Sequence, residues 1–293
     1  MSAEARTEAP SMERGKAFRK LLGRLFRNRL VGVAFAVLIA FIGLAIFSDA
    51  VAPYDPIRGD LLKRLNAPSA EHWFGTDHQG RDMLSRVIAG SRVALMVGFV
   101  AVGLGLVLGS ILGIVAGYFG GIVDVVIMRA MDVILAFPWL LLVIAVVSIL
   151  GPSLTNAMLA IGLTLVPQYA RLLRSVVLST RERDFVQAAK ALGASNLRIL
   201  ALHIAPHTVG QSIVLSTVSL GKAILAEAGL SFLGLGVQPP TPSWGTMIAV
   251  GQDYLMTDPY LSIVPGIAVM LVVVALNIFG DGLNDALNPR KRH

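Results

Sequence analysis

The chain has no cysteine among its 293 residues. Disulfides, thiol nucleophiles and thiolate-held metals are therefore excluded. Charge is scarce as well: Asp, Glu, Lys and Arg make up 15% of the residues, where a soluble domain carries roughly 25%. The pattern G-x-x-x-x-G-K-[ST] is absent, so there is no P-loop to cradle a nucleotide. Gly15-Lys16 and Gly221-Lys222 lack the upstream glycine. No nucleophile and base stand in a recognisable set, which leaves no catalytic residue to name. The apolar runs lack the recurring charges of a proton relay. They also lack the paired broken helices of an inverted repeat. A pathway without an energy source of its own needs one from outside.

Apolar residues are what the chain has in quantity: 55% are hydrophobic, and the mean hydropathy is +0.72. Arranged in long runs, they point to an all-α polytopic membrane bundle. The formal charge of +7 is not a nucleic-acid signal, because the basic residues gather at the ends of the runs. Six transmembrane helices are predicted, with both termini cytoplasmic. Residues 1–29 form a basic leader carrying Arg6, Arg14, Lys16, Arg19, Lys20, Arg24, Arg27 and Arg29. That excess places the N-terminus inside. The first span is read over 30–48. Ala50-Val51-Ala52 resembles a cleavage site, but Pro53 follows and the leader is long, so an uncleaved helix is expected.

Residues 49–90 form an external loop of mixed charge. A five-helix domain follows over 91–280, with a cytoplasmic insert at 175–206 and a tail at 281–293. The second span, near Val93–Tyr118, carries Gly105, Gly109, Gly113 and Gly117 at every fourth position. Such a stripe lets a second backbone approach closely. It serves either fixed packing within the chain or a sliding contact between moving helices. The third span is read from Asp124 to about Ile149, kinked at Pro138, with Arg129 and Asp132 spaced to pair. The fourth is read as Leu154–Leu173, interrupted by Pro167. The fifth is read as His207–Phe232 and the sixth as Pro259–Phe279. The turns near 150 and 233–259 contain no Lys or Arg, whereas Arg171, Arg174, Arg181, Arg183, Lys190 and Arg198 fall on the opposite side. The asymmetry supports the same orientation.

Several polar residues stand out. Lys222 and Glu227 are the only charges deep in the fifth span, which makes them candidates for a pathway or gate. His72 and His78, with Glu71, Asp77 and Asp82, could be drawn as a metal site. Nothing in their spacing fixes a geometry, so solvated loop groups are expected and no metal ligand is named. Trp244 is read as an interfacial anchor.

The central stretch is Ser179–Pro206, STRERDFVQAAKALGASNLRILALHIAP. Ser179 with Glu182 reads as a capping box. Phe185, Ala188, Ala189 and Leu192 mark one helix face. Gly193 suits a left-handed cap. Ser195 starts a second helix with Leu197, Leu200, Ala201 and Ile204 on its face, and Pro206 bars simple continuation. An interfacial helix pair lying on lipid is the bland alternative.

Asp184-Phe185, then Gln187-Ala188-Ala189, Leu192-Gly193 and His203-Ile204-Ala205-Pro206, resemble the cytoplasmic coupling loop of ATP-binding-cassette importer permeases. Gln187 stands where that pattern often has Glu, and Ala205 where it often has Leu. HWFGTDHQGRDMLSRVIAGSRVAL, His72–Leu95, resembles the C-type permease subunits of the dipeptide/oligopeptide/nickel group. GGIVDVVIMRAMDVILAFP and AILAEAGLSFLGLG resemble the same family. So does the tail GDGLNDALNPRKRH, where Asn284 and Asn288 replace an expected Arg and Asp. The likeness covers roughly residues 70–290.

The resemblance implies a type I importer permease (MetI-like) architecture. It also implies a second, non-identical permease subunit, two ATPase subunits or domains, and an extracytoplasmic solute-binding protein. The chain itself would be no enzyme and would bind no cofactor, ATP and magnesium residing on the ATPase partners. The implied cargo is short peptides, with nickel, glutathione or another small solute as alternatives. A self-sufficient secondary transporter or channel is the competing class, resting on Lys222 and Glu227. A membrane enzyme is the third.

Overall fold

The computed structural model describes Gly23, Leu25 and residues 28–287. The leader charges from Arg6 to Arg27 and the tail residues Asn288, Arg290, Lys291 and Arg292 lie outside the described residues. Among the described residues there is no strand. A single antiparallel bridge joins Thr76 to Asp82.

Asn28 opens the first helix, α1 (Arg29–Ile46), its side-chain oxygen accepting from Leu30 N at 3.0 Å. Asp82 opens α2 (Met83–Phe119), with its carboxylate accepting from Ser85 N at 2.8 Å. At 37 residues, α2 is longer than predicted. It passes straight through Gly90. A Cβ there would lie 2.8 Å from the Trp244 ring, so the glycine makes room for an aromatic rather than ending a helix.

Gly120 and Gly121, both with positive φ, turn the chain into α3 (Gly121–Leu135). Pro138 does more than kink the next span. It starts a separate helix, α4 (Trp139–Leu150), at 88° to α3. The residue before a proline is pushed out of the α region, and proline at a helix start loses nothing by lacking an N–H. By contrast, α5 (Leu154–Arg181) runs unbroken past the buried Pro167. The chain then forms α6 (Asp184–Ala191), α7 (Asn196–Ile199), a π-helical segment Leu200–Ile204, and α8 (Ala205–Phe232). The short α9 (Trp244–Gly251) and the long α10 (Tyr260–Leu287) complete it.

Among the described residues, four stretches are long and apolar enough to cross a membrane: α1, α2, the run from α7 through α8, and α10. Counting the bent α3–α4 pair as one makes five. The remaining predicted span, the fourth, falls in α5, which has the length but not the apolarity. Gln168, Arg171 and Arg174 dilute its second half. It packs against α2, α4 and α8, so much of its surface is covered by other helices.

The glycine stripe is the seam between α2 and α5. A Cβ on Gly105 would stand 2.6 Å from Leu165 Cβ, and one on Gly109 2.5 Å from Tyr169 Cβ. One on Gly113 would lie 2.4 Å from the Ala170 carbonyl, and one on Gly117 2.9 Å from Val177 Cβ. The partners rise along α5 as the glycines rise along α2, so the two helices run parallel. Around the seam lies a core of Val97, Ala101, Ala157, Ile161 and Tyr169.

In contrast, α8 runs back against α2, with Leu220 and Ile224 beside Gly98. The return helix α10 brings Gly282 onto Val31 of α1. Both described chain ends therefore share one end of the bundle with the α5–α6 junction. The 49–82 loop and α9 cap the other.

Candidate functional site

The junction between α5 and α8 is built as a clamp. The predicted capping box does not form: Ser179 is still inside α5, with its hydroxyl donating to Val176 O at 2.9 Å. Instead α5 runs on to Arg181, and α6 begins behind Arg183 without a side-chain cap. The buried face of α6 is also rotated from the expected stripe. Val186 is its buried anchor, and Ala189 is partly covered. Phe185, Ala188 and Leu192 are exposed. Val186 joins Val177 of α5, Ile199 of α7 and Ile204 of the π segment in one small core. The predicted stripe missed this because a helix of eight residues has too few turns for periodicity to choose between adjacent faces.

Polar contacts tighten the clamp. Gln187 donates its amide to Arg181 O at 2.9 Å, satisfying a carbonyl at the end of α5. A glutamate there could not donate that bond. Arg181 donates to Gly117 O at 2.9 Å, and Tyr118 donates to Asn196 at 2.7 Å, so the end of α2 is held as well. Asp124 of α3 is gripped by Arg174, and Asp132 by Arg171 at 2.7 Å. The expected Arg129–Asp132 pair is present but looser, at 3.9 Å.

Gly193 has φ +77°, as a left-handed cap requires. Ser195 caps α7, accepting from Arg198 N at 3.4 Å. Pro206 does not end the helix. It sits in the first turn of α8, and the wider π segment just before it absorbs the register change. Of the predicted α7 stripe, Ile204 is buried while Leu197 is 77% exposed. The outer surface of the clamp thus presents Asp184, Gln187, Ala188, Leu192 and Leu197. Leu192 is 88% exposed. The surface mixes apolar Ala188, Leu192 and Leu197 with charged Asp184 and Lys190, and it hangs from both α5 and α8.

Comparison with known proteins decides the class. Residues 109–293 match the model of the binding-protein-dependent transport system inner membrane component. Residues 17–68 match the N-terminal TM domain of oligopeptide transport permease C. The chain belongs to the binding-protein-dependent permease family.

The permease is 45% identical over 275 residues to the dipeptide transport system permease protein DppC of Alkalihalophilus pseudofirmus, covering 94% of this chain and 90% of that one. It is 42% identical to the probable D,D-dipeptide transport system permease protein DdpC of Escherichia coli K12, over 92% and 91% of the two chains. The glutathione transport system permease protein GsiD of Escherichia coli O157:H7 is also 42% identical, over 91% and 88%. In fold, the permease resembles a chain of the MetNI methionine ABC transporter in inward-facing form. The TM-score is 0.56 at 17% identity, over 70% of the permease and 98% of that chain.

Glu227 and Lys222 of the permease do not meet. Lys222 is exposed, whereas Glu227 is 1% exposed. Glu227 Oε1 accepts from Ser231 Oγ at 2.7 Å and from Ser243 Oγ at 2.8 Å. Ser231 in turn accepts from Val237 N, and Ser243 from Gly245 N. One carboxylate thus ties the end of α8, the 233–243 turn and the start of α9. The two serines carry no local sequence signal for this, because the pairing is made by the turn. Glu227→Ala removes the shared acceptor and leaves two buried hydroxyls unpaired, at about 1–3 kcal/mol each. The expected result is faster proteolysis within 233–243 with the rest of the permease intact. Unchanged cleavage would contradict the tie.

Of the residues read as solvated loop groups, Glu71 is exposed as expected, but His72, Asp77 and Asp82 are buried. His72 Nδ1 lies 2.9 Å from Asp82 Oδ1, and both are buried. Asp77 is buried with Arg81 and Arg86. These are paired charges inside a folded cap. No cluster of three metal-ligating side chains occurs among the described residues. Trp244 is no interfacial anchor either. It is 1% exposed, donates to Val87 O at 3.0 Å, and meets the Phe41 ring edge-on at 5.6 Å.

Proposed function

We propose that the permease is one half of the membrane channel of an ATP-driven importer for short peptides. The carrying observation is the clamp: a short helical unit, exposed on its outer face, bonded to α2 and α5 and continuous with α8. An ATPase subunit seated on Asp184, Gln187, Ala188 and Leu192 would move those three helices together. This reading places the clamp and both termini in the cytoplasm of a cell-membrane protein. It counts α5 as a span as well, the fourth of six, shielded by its neighbours. A second, non-identical permease subunit completes the channel, two ATPase subunits hold ATP and magnesium, and an external binding protein delivers the solute. This chain holds no cofactor of its own.

Transport then proceeds by alternating access. ATP binding draws the paired clamps together and opens the channel outward, and hydrolysis reverses it. The energy enters through differential contacts in the two states. Lys222, exposed on α8, is a candidate for the pathway wall. Glu227 acts from behind that wall, by fixing the external turn. Alanine at 188 keeps the clamp surface low, so that a partner can approach closely.

The peptide cargo rests on the dipeptide relatives. The glutathione relative, similar at nearly the same level, makes glutathione the second solute to test. In a strain lacking this chain, uptake of labelled di- and oligopeptides should fall to background and return on complementation. Unchanged peptide uptake with lost glutathione or nickel uptake would reassign the cargo. Flux by the purified chain alone, without ATP, would overturn the reading.

A further inference from the structure

The external cap and α9 enclose a cavity of about 190 Å³. The lining is basic at Arg81, Arg86 and His78 and apolar at Pro240, Met247 and Val250, with Thr241 and Thr246 beside the apolar residues. Arg81 and Arg86 are both buried, and both turn to a single carboxylate, Asp77. Arg81 takes the good geometry, with Nε 2.7 Å from Asp77 Oδ2. Arg86 Nε is left 3.5 Å from the same oxygen with no hydrogen-bond partner, although its Nη1 donates to Pro56 O at 2.9 Å. His78 Nδ1 is likewise buried without a partner.

Asp77, Arg81 and Arg86 are the charged residues of the lining, so two cations face one anion. The excess positive charge and two unpaired nitrogens stand in this lining, largely out of water. Burying such groups is costly unless an acceptor meets them. Water could fill the polar side, but Pro240, Met247, Val250 and Leu261 leave much of the lining apolar. A cavity of this size holds about six waters, or a molecule of similar bulk.

We propose that this cavity is a binding site for a small aliphatic carboxylate. Its oxygens pair with the guanidinium groups of Arg81 and Arg86, and its hydrocarbon end packs against Met247, Val250 and Pro240. The carboxylate has two possible sources: a free small molecule, or an acidic group on a protein segment docked at this end of the bundle. The site goes beyond the transport reading and does not depend on it.

The probe is isovalerate, titrated calorimetrically into the full-length protein in lipid nanodiscs, with isovaleramide as the uncharged control. Saturable isovalerate binding is expected, with the amide at least tenfold weaker. Val250→Trp fills the apolar side and is expected to weaken isovalerate at least tenfold with the melting midpoint unchanged. Arg86→Lys, which keeps the charge but moves the donor, is expected to weaken it as well. Absence of saturable binding, equal binding of the amide, or an unaffected Val250→Trp variant each overturns the proposal. Adding the solute-binding protein separates the sources. Mutual displacement assigns the carboxylate to that protein, and undisturbed isovalerate binding assigns it to a free solute.

Discussion

Replacing Gly113 by leucine is expected to leave no folded chain in the membrane. A Cβ at that position would stand 2.4 Å from the Ala170 carbonyl oxygen and 2.9 Å from Ala170 Cα. Both are backbone atoms and cannot rotate aside, so α2 and α5 must separate. Lipid is as apolar as the side chains, so close packing, rather than exclusion of water, holds these two helices together. Even Gly113→Ala should cost about 1–3 kcal/mol, the usual range for overpacking. Gly103 is the internal control, because nothing lies within 4 Å of a Cβ built there. Gly103→Ala should match the parent. Size-exclusion profiles and melting midpoints of detergent-extracted protein give the comparison. A normal profile for Gly113→Leu would show that the seam constrains nothing.

Replacing Leu192 by aspartate is expected to do the opposite: a folded protein that no longer couples. Leu192 is 88% exposed, so a charge there meets water in the free chain and disturbs no packing. Buried beneath an ATPase subunit, the same charge would be unpaired and strongly unfavourable. With binding protein and ATPase subunits in proteoliposomes, transport per ATP should fall more than tenfold while the melting midpoint stays within a degree or so of the parent, as surface substitutions usually do. Ala189→Asp is a poorer test, because Ala189 packs against the core of the clamp and its loss mixes folding with docking. Gly193→Leu probes the hinge instead. Its φ of +77° should cost about 1–2 kcal/mol of backbone strain, with open space for the side chain. Coupled transport unchanged in Leu192→Asp would remove the docking surface from the account.

Much of this was legible in the sequence wherever the signal was local. Long apolar runs marked the membrane helices, and spaced glycines marked the seam. Gly193 and Ser195 announced the left-handed cap and the helix start after it. What stayed hidden was set by partners distant in sequence. Asp124 and Arg174 lie 50 positions apart, and Glu227 and Ser243 16. The external cap read as solvated polar residues, since sequence cannot tell a paired buried charge from a free one. Pro138 and Pro167 show the same limit. The first breaks its helix by 88° and the second leaves its helix whole. Only what packs around each proline distinguishes them.

The seam has a mechanical consequence. Two rods in register, pointing the same way and touching backbone to backbone at four successive turns, behave as one beam. Force delivered at the Arg181 end must reappear near Leu154, about 42 Å away at 1.5 Å per residue, with little lost to bending along the way. Rearrangement is then left to the joints at the beam's flanks. The 88° elbow between Leu135 and Trp139 is one such joint.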